Sequence, residues 1–459
     1  MPDALELSRA IAARELSCVE LMRDTLTWIE RLNPGLNAIV SLRDGDALLA
    51  EAAERDAELA RGGPRGWMHG FPHAVKDLED VAGLPTTCGS PLLRDAIPPA
   101  DGALAARLRG AGAILIGKTN VPEFGYGSQT YNPVFGVTRN PYDRSRTVGG
   151  SSGGAAAALA AELVPVADGS DYLGSLRNPA AFCNVYGMRP SLGRVALPPD
   201  DTAFLAPIGT HGPMARSPRE LAALLATLAG PHPSLPYALA PAPELSQPLR
   251  PAERARIAWL GDLGGHLAIE PGILELCEAA LPELGELAPE PPGFDPEAAW
   301  QAALTLRHFD ATWALELPRA QVKPELVWEI EGAEAVTGPR LHAAHVRRTA
   351  VFEALRALLE RYDALALPSA QVFPFDAGLH WPAEVAGRAM DTYHRWMEVV
   401  APASLAGLPV VSVPVGFGPA GLPMGMQLIG RPRGDRALLE LAQRHHDATD
   451  WPAARRPPT

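Results

Sequence analysis

Apolar side chains along the first sixty residues recur at roughly helical spacing, which predicts helices. The recurring positions are Leu5, Ile11, Leu21, Leu26 and Ile29, and the pattern breaks at Asn33-Pro34-Gly35. From Gly70 to about Val195 the pattern changes to short apolar runs separated by glycine and proline. Residues 114–116 and 163–167 are typical of short buried strands, and residues 155–163 of a helix. Strands alternating with helices predict an α/β sheet.

A strong helix start opens the next part of the chain. Ser217 is a serine cap, Pro218 takes the first helical position and Glu220 the third. A proline-rich stretch at 231–251 predicts a surface linker, residues 252–360 are mostly helical in pattern, and short apolar strands return between 363 and 431. We expect residues 1–65 to pack on the core as a helical segment. Residues 66–230 and 361–459 form the α/β core, with 231–360 as a helical insertion.

Composition places the chain among globular proteins and excludes several partners. Hydrophobic residues make up 47% and charged residues 20% of the 459 residues, which is typical of a folded core. The net charge of −13 disfavours nucleic acid and anionic membranes, because both attract basic surfaces. Four scattered cysteines show no metal-ligand spacing, so we expect no metal site and a reduced, cytoplasmic setting. Residues 399–421 carry no charge but contain four prolines, which predicts buried strands and turns rather than a membrane span.

Two short motifs suggest other chemistries. The run Gly112-Ala-Ile-Leu-Ile-Gly117-Lys118-Thr119 matches the P-loop pattern, but its apolar interior predicts a buried strand rather than an anion-cradling turn. The run Gly150-Ser151-Ser152-Gly153-Gly154 matches the nucleophile elbow of α/β-hydrolases, with Ser152 at its centre. That elbow must follow a strand, whereas residues 140–148 are polar. A glycine-rich turn that starts the following helix is the competing interpretation.

Three further segments carry a more specific pattern. They are Gly70-Phe-Pro-His-Ala-Val-Lys76-Asp77, Gly149-Gly-Ser151-Ser152-Gly-Gly154, and Gly169-Ser-Asp171-Tyr-Leu-Gly-Ser175-Leu-Arg177. Ser175 lies 24 residues after Ser151. This set resembles the amidase signature family, whose catalytic triad is a serine, a second serine in a cis peptide, and a lysine. The resemblance covers most of the chain except the helical middle. It implies an α/β fold with a single large mixed β-sheet covered by helices on both faces.

The resemblance implies roles for individual residues. Ser175 would be the nucleophile, Ser151 the cis-serine proton relay and Lys76 the general base. Backbone N–H groups of Tyr172, Leu173 and Gly174, with that of Ser175, would form the oxyanion hole. The supporting hydrogen-bond network would comprise Ser152, Asp171 and Arg177. A direct part in catalysis and a purely structural role, as a buried ion pair that fixes the loop, are equally good interpretations of these residues. In this family the inserted middle and the loop near residues 124–131 shape the substrate pocket, for which Phe124, Tyr126, Tyr172 and Leu173 are the candidates.

Lysine usage supports the assignment of Lys76 independently. Of the 40 basic residues only Lys76, Lys118 and Lys323 are lysines, and the other 37 are arginines. A lysine can act as a base when burial lowers its pKa, whereas an arginine stays protonated inside proteins. Lys76 therefore occupies the position where arginine would be chemically inert.

The sequence departs from the family pattern beside the nucleophile. Tyr172 and Leu173 stand where the family usually has a small residue and a glycine, so we expect a reshaped oxyanion loop and a narrowed acyl pocket. Leu173 fits there only if its backbone angle is ordinary. Asn184 replaces a common glycine, and asparagine tolerates the left-handed conformation.

The resemblance implies hydrolysis of a small-molecule carboxamide to a carboxylate and an amine or ammonia, through an acyl-enzyme and with no cofactor. Esters and carbamates are further candidate substrates. Two other functions stay open: the glutaminase subunit of a tRNA-dependent amidotransferase, and a non-catalytic binding or scaffold protein. The sequence leaves a homodimer open.

Overall fold

The computed structural model describes residues 1–195, 203–205, 207–233 and 235–458. In that part of the chain the helices are α1 (Ala4–Ala12), α2 (Cys18–Leu36), α3 (Gly45–Gly62), α4 (Ala103–Gly110), α5 (Gly153–Ala160), α6 (Arg177–Phe182), α7 (Pro218–Leu228), α8 (Ile273–Ala280), α9 (Pro296–Asp310), α10 (Pro324–Glu334), α11 (Gly338–Arg361), α12 (Ala401–Ala406), α13 (Asp435–Thr449) and α14 (Trp451–Ala454). The strands are β1 (Ile39–Val40), β2 (Pro72–Lys76), β3 (Ile114–Thr119), β4 (Tyr131–Asn132), β5 (Gly136–Val137), β6 (Ala167–Asp171), β7 (Tyr186–Arg189), β8 (Thr210–Ala215), β9 (Ala255–Trp259), β10 (Gly285–Pro289), β11 (Ala364–Pro368), β12 (Glu384–Val385), β13 (Arg388–Ala389), β14 (Val410–Phe417) and β15 (Pro423–Ile429).

The amino-terminal segment forms three helices whose ends follow from local sequence. A capping box between Ser17 and Glu20 starts α2, and Asn37 in the left-handed conformation ends it. The predicted break at 33–35 is therefore slightly early, because Pro34 lies inside the last turn of the helix. Ser217 caps α7 through the N–H of Glu220, as predicted. These helix starts depend on contacts within one turn, which is why the sequence locates them.

One large mixed sheet forms the core, as predicted. Its strand order is β10-β9-β11-β15-β14-β7-β8-β6. The pairs β10/β9 and β9/β11 are parallel, while the remaining neighbours run antiparallel. The strand predicted at 163–167 is shifted to β6, and the helix predicted at 155–163 is α5, which ends at Ala160.

The inserted segment 231–360 is less helical than predicted. Strands β9 and β10 lie inside it and join the main sheet, with Ala255 paired to Gly285 and Ile257 paired to Ala364. Periodicity alone does not separate a five-residue buried strand from a piece of buried helix, and the sheet partner that decides the matter lies about a hundred residues away. Residue 234 of the predicted linker lies outside the described residues.

A small second sheet, in the order β1-β3-β2, explains the first of the two alternative motifs. Residues 114–119 are the buried strand β3, so the P-loop match does not form an anion-cradling turn. Nζ of Lys118 donates to the carbonyl oxygen of Glu79 and to Oγ1 of Thr86, the latter at 2.9 Å. Lys118 is therefore a buried structural lysine.

The uncharged stretch 399–421 folds as helix α12 and strand β14 with turns between them. The prediction of buried strands and turns was right for β14 and missed α12. None of the helices in the described ranges is long and apolar enough to cross a bilayer.

Candidate active site

Three separate segments bring their polar side chains together around Lys76. Lys76 ends β2, Ser151 and Ser152 lie directly before α5, and Ser170 is in β6. Nζ of Lys76 lies 2.8 Å from Oγ of Ser151, 2.9 Å from Oγ of Ser152 and 2.9 Å from Oγ of Ser170. Three neutral hydroxyl groups therefore surround the amine. Ser170 is next to Asp171 within the third motif segment but is not among the predicted site residues.

Burial changes the acid–base chemistry of this lysine. Lys76 has no solvent exposure. Desolvation lowers the pKa of Lys76 from 10.5 to about 7, against the opposing effect of Glu79, Asp168 and Asp171, whose charges raise it. A substantial fraction of the amine is thus neutral near pH 7 and able to accept a proton.

The peptide bond between Gly150 and Ser151 is cis, as the family resemblance implies. Side chains hold the preceding carbonyl groups: Ser128 donates to the oxygen of Gly150 at 2.7 Å, and Thr130 donates to the oxygen of Gly149 at 2.7 Å. This geometry presents Oγ of Ser151 to Lys76. Ser152 lies in the same turn without a preceding strand, so the nucleophile-elbow alternative lacks its structural context.

Ser175 lies between β6 and α6 and lines a cavity that Ser151 also lines. Ser175 is 9% exposed and Ser151 is 3% exposed. Within the described ranges, no hydrogen bond joins the two hydroxyl groups. The structure therefore contains the Lys76–Ser151 contact and places the second serine on the same cavity wall. In unliganded enzymes such contacts often tighten only when substrate binds.

Asp171 organises the loop that carries Ser175. Its carboxylate accepts hydrogen bonds from the N–H of Gly174 at 2.9 Å and of Leu176 at 3.1 Å. It also pairs with Arg177 at 2.9 Å and with Arg189 at 3.3 Å. Burial raises the pKa of Asp171, but the two guanidinium groups outweigh it and hold the pKa well below its usual range. Asp171 is therefore an anion in a fixed position, consistent with its predicted supporting place.

The oxyanion loop differs from the prediction at Gly174. Because the N–H of Gly174 already donates to Asp171, it is not free for an oxyanion. Among the described residues, the N–H groups of Tyr172, Leu173 and Ser175 have no hydrogen-bond partner. The left-handed angle falls on Gly174, with φ +88, and Leu173 is not among the residues with positive φ. Leucine is thus accommodated without strain, and Asn184 adopts φ +54 as expected of asparagine.

A cavity of about 180 Å³ opens beside Ser175. Of the four candidate pocket residues, Phe124, Tyr126 and Tyr172 line this cavity, whereas Leu173 is buried and does not. The remaining lining residues are Leu78, Gly125, Ser151, Ser170, Arg307, Asp310 and Trp313. Arg307 and Asp310 were not predicted, because they belong to α9, inside the segment that matched no motif. Trp313, in the turn after α9, is a possible pocket wall from sequence, but core packing is the commoner role of such an aromatic residue.

The far wall of this cavity combines charge with aromatic rings. The guanidinium carbon of Arg307 lies 4.7 Å from the ring centre of Tyr126 and 5.3 Å from that of Tyr172. The hydroxyl of Tyr172 donates to Asp310 at 2.5 Å, which links the oxyanion loop to α9. Burial raises the pKa of Tyr172 well above its usual value, so this hydroxyl remains a neutral donor.

One cluster elsewhere has the composition of a metal site. Ligand atoms of His266, Glu297 and Glu398 lie within 4.8 Å of one another. Arg395 already neutralises both carboxylates, donating to Glu297 at 2.6 Å and lying 2.9 Å from Glu398. The guanidinium group of Arg395 therefore supplies the positive charge that a metal ion would supply to these carboxylates, and the cluster is an ion-pair network.

The mixed sheet and the lysine–serine site together define a hydrolase of the amidase signature class, which acts on C–N bonds. The sequence profile of the amidase family matches residues 20–439, and the chain belongs to that family. It is 32% identical to the glutamyl-tRNA(Gln) amidotransferase A subunit of Cyanothece sp., over 98% of each chain. It is 31% identical to an acylamidase of Rhodococcus erythropolis, over 98% of this chain and 96% of the relative. A crystal structure of a bacterial aryl acylamidase of the same family superimposes with a TM-score of 0.89 at 28% identity, covering 99% of both chains.

Proposed function

We propose that this protein hydrolyses the C–N bond of a small carboxamide through an acyl-enzyme on Ser175. The observation that carries the proposal is the 2.8 Å contact between Nζ of Lys76 and Oγ of Ser151, made by a lysine whose pKa burial lowers to about 7. A serine hydroxyl is a weak nucleophile until a base accepts its proton. Lys76 supplies that base, and Ser151 stands between it and the cavity.

The reaction then proceeds in two balanced halves. Oγ of Ser175 attacks the amide carbon while its proton passes to Ser151, and the proton of Ser151 passes to neutral Lys76. Collapse of the tetrahedral intermediate breaks the C–N bond, and a proton returns from Lys76 through Ser151 to the departing nitrogen. Water attacks the acyl-enzyme along the same relay, releasing the carboxylate and restoring Ser175. Each half uses the lysine first as base and then as acid.

The negative oxygen of each tetrahedral intermediate requires hydrogen-bond donors. The N–H groups of Tyr172, Leu173 and Ser175 are the available ones in the loop, because Asp171 engages that of Gly174. Loss of one such donor typically costs about 3 kcal/mol of transition-state stabilisation. The anchored carboxylate of Asp171 keeps this loop in place before substrate arrives.

A stand-alone amidase is the activity that we favour over a role within an amidotransferase. The aryl acylamidase structure superimposes with a TM-score of 0.89, against 0.74 for the glutamyl-tRNA(Gln) amidotransferase A subunit of Thermotoga maritima. Glutaminase activity that depends on added partner subunits would instead favour the amidotransferase role. A scaffold protein without activity is disfavoured, since Lys76 contacts Ser151 and Ser151 lines the same cavity as Ser175.

Labelling with a fluorophosphonate, followed by peptide mapping of the adduct, tests the nucleophile. We expect the adduct on Ser175 and complete loss of amidase activity in Ser175→Ala. Ser145→Ala, an exposed serine whose side chain bonds only Asp143 in its own turn, is the matched control and should label and turn over normally. An adduct on Ser152, or full activity in Ser175→Ala, would contradict the assignment.

A further inference from the structure

We propose that the cavity beside Ser175 binds one aromatic ring of the substrate, with a neutral hydrogen-bond acceptor on that ring facing Nη1 of Arg307. This inference rests on the proposed amide hydrolysis and adds the class of substrate. It starts from the one nitrogen of Arg307 that the described residues leave unused.

Hydrogen bonds and aromatic rings fix the guanidinium group of Arg307 in one orientation. Its Nε donates to Glu329, its Nη2 donates to the hydroxyl of Tyr393 at 2.8 Å, and its guanidinium carbon lies within 5.3 Å of the ring centres of Tyr126 and Tyr172. No described residue accepts a hydrogen bond from Nη1, and that atom is not among the fully buried polar atoms without a partner. Since Arg307 is only 8% exposed and lines the cavity, the free edge of its guanidinium faces the cavity. A fixed donor of this kind loses little conformational entropy when it bonds a ligand.

The rest of the wall sets the shape of the ligand. Four aromatic side chains contribute to it: Phe124, Tyr126, Tyr172 and Trp313. Phe124 and Trp313 meet edge to face with their ring centres 5.1 Å apart, so the wall of the cavity is rich in aromatic surface. An apolar cavity of about 150 Å³ accommodates benzene, so the 180 Å³ measured here suits one substituted ring rather than a bicyclic group.

The charges around the cavity favour a neutral hydrogen-bond acceptor on the substrate over a carboxylate. Glu329 already balances the charge of Arg307 from behind the wall, and Asp310 also lines the cavity. A substrate carboxylate would gain the contact to Nη1 but would approach the carboxylates of Glu329 and Asp310, of which only that of Glu329 is buried. An ether or ketone oxygen gains the hydrogen bond without that repulsion.

The test is a series of substituted anilides and benzamides, so that the ring lies in the leaving group or in the acyl group. Methoxy, ethyl and carboxylate substituents are placed in turn at the meta and para positions, and kcat/KM is measured for each. Methoxy and ethyl are closely matched in size and differ in the acceptor. We expect methoxy to exceed ethyl by about tenfold or more in at least one position, as for a hydrogen bond from a charged donor, with the carboxylate slower than methoxy.

Arg307→Lys keeps the positive charge beside Glu329 but removes Nη1, so the methoxy-to-ethyl ratio should fall towards one. Arg356→Lys, an exposed arginine paired with Glu353 and Glu360 on α11, is the matched control and should keep the wild-type ratio. Equal rates for methoxy and ethyl at every position in wild type, or an unchanged ratio in Arg307→Lys, would overturn the inference. If Arg307→Lys does not fold, the wild-type series alone decides. Hydrolysis of aliphatic amides without the ring preference refutes only this inference, whereas failure to hydrolyse any amide refutes the proposed function.

Discussion

Replacing Lys76 with methionine gives the sharpest prediction, because one substitution alters both activity and the pH dependence of stability. Methionine keeps the apolar length of the side chain and removes the amine. In the wild type, burial lowers the pKa of Lys76 from 10.5 to about 7. At pH 7 about half of the folded molecules therefore carry a neutral lysine, against roughly one in three thousand at the unperturbed value. The variant should lose amidase activity at every pH.

The sign of the stability effect follows from proton binding. Between pH 7 and 10.5 the unfolded chain holds a proton on Lys76 that the folded chain has released. Stability therefore rises with pH across that window, and the cost of burying the lysine is fully present below pH 7. The full shift of 3.5 pH units corresponds to about 5 kcal/mol, and the part between pH 6 and pH 9 to about 3 kcal/mol. Methionine at this position contributes no such slope.

The assay compares urea unfolding of the wild type and Lys76→Met at pH 6 and pH 9. We expect the free energy of unfolding of the wild type, relative to the variant, to rise by about 3 kcal/mol between the two values. The carboxylates of Glu79, Asp168 and Asp171 are present in both proteins, so their own titration largely cancels in the comparison. In parallel, kcat/KM of the wild type should rise with an apparent pKa near 7.

Two results would refute this reasoning. The first is a pair of parallel stability curves, which would show that the lysine is equally protonated in the folded and unfolded states. The second is a rate independent of pH between 6 and 8. Lys76→Arg serves as the companion variant: it should fold but remain nearly inactive, because a guanidinium does not release its proton.

Three further predictions concern the neighbours of the site. Ser170→Ala removes an acceptor that stabilises the charged form of Lys76, so the apparent pKa of the rate profile should fall by about one unit. Gly174→Ala places a Cβ 2.4 Å from Oδ1 of Asn178 at a φ of +88, so urea unfolding should show a loss of about 2 kcal/mol or more. Lys323→Met removes the 2.6 Å bond to the carbonyl oxygen of Tyr126 that holds the pocket loop, so KM should rise about tenfold with little change in kcat.

Each of these predictions has a control. Ser145→Ala should leave the apparent pKa of the pH–rate profile at its wild-type value. An apparent pKa in Ser170→Ala that equals the wild-type value would contradict the first prediction. Gly83 has φ +77 and no atom within 4 Å of the position that a Cβ would occupy, so Gly83→Ala measures the conformational cost alone. A loss in Gly174→Ala no larger than in Gly83→Ala would contradict the clash. Arg319→Met is the exposed counterpart of Lys323→Met, and a fall in kcat at constant KM would reject the positioning role.

All three lysines of the chain are buried, which extends the argument made from their rarity. Lys76 and Lys118 have no exposure and Lys323 has 6%. Lys118 and Lys323 donate to backbone carbonyl oxygens, whereas Lys76 contacts serine hydroxyl groups as well as the carbonyl oxygen of Ser170. Rarity of lysine therefore marks buried amines in this protein. Lys76 differs from the two structural lysines in having three serine hydroxyl partners, whereas Lys118 has the single hydroxyl of Thr86.

Features that depend on short spacing along the chain could be predicted from the sequence. Helix starts such as that at Ser217 need only residues within one turn, and the strand character of 114–119 follows from its apolar run. The motif around Lys76, Ser151 and Ser175 was recognisable because its glycines and hydroxyl residues stand at fixed short intervals within each segment.

Features that join distant parts of the chain could be found in the folded structure alone. The amine of Lys76 contacts the hydroxyl of Ser170, 94 residues away, and the bond from Tyr172 to Asp310 spans 138 residues. The direction of the Gly174 N–H, towards Asp171 rather than into the cavity, depends on a backbone turn that composition does not specify. Desolvation, cavity shape and hydrogen-bond direction are properties of packing. They arise when segments far apart in sequence meet, so no local pattern encodes them.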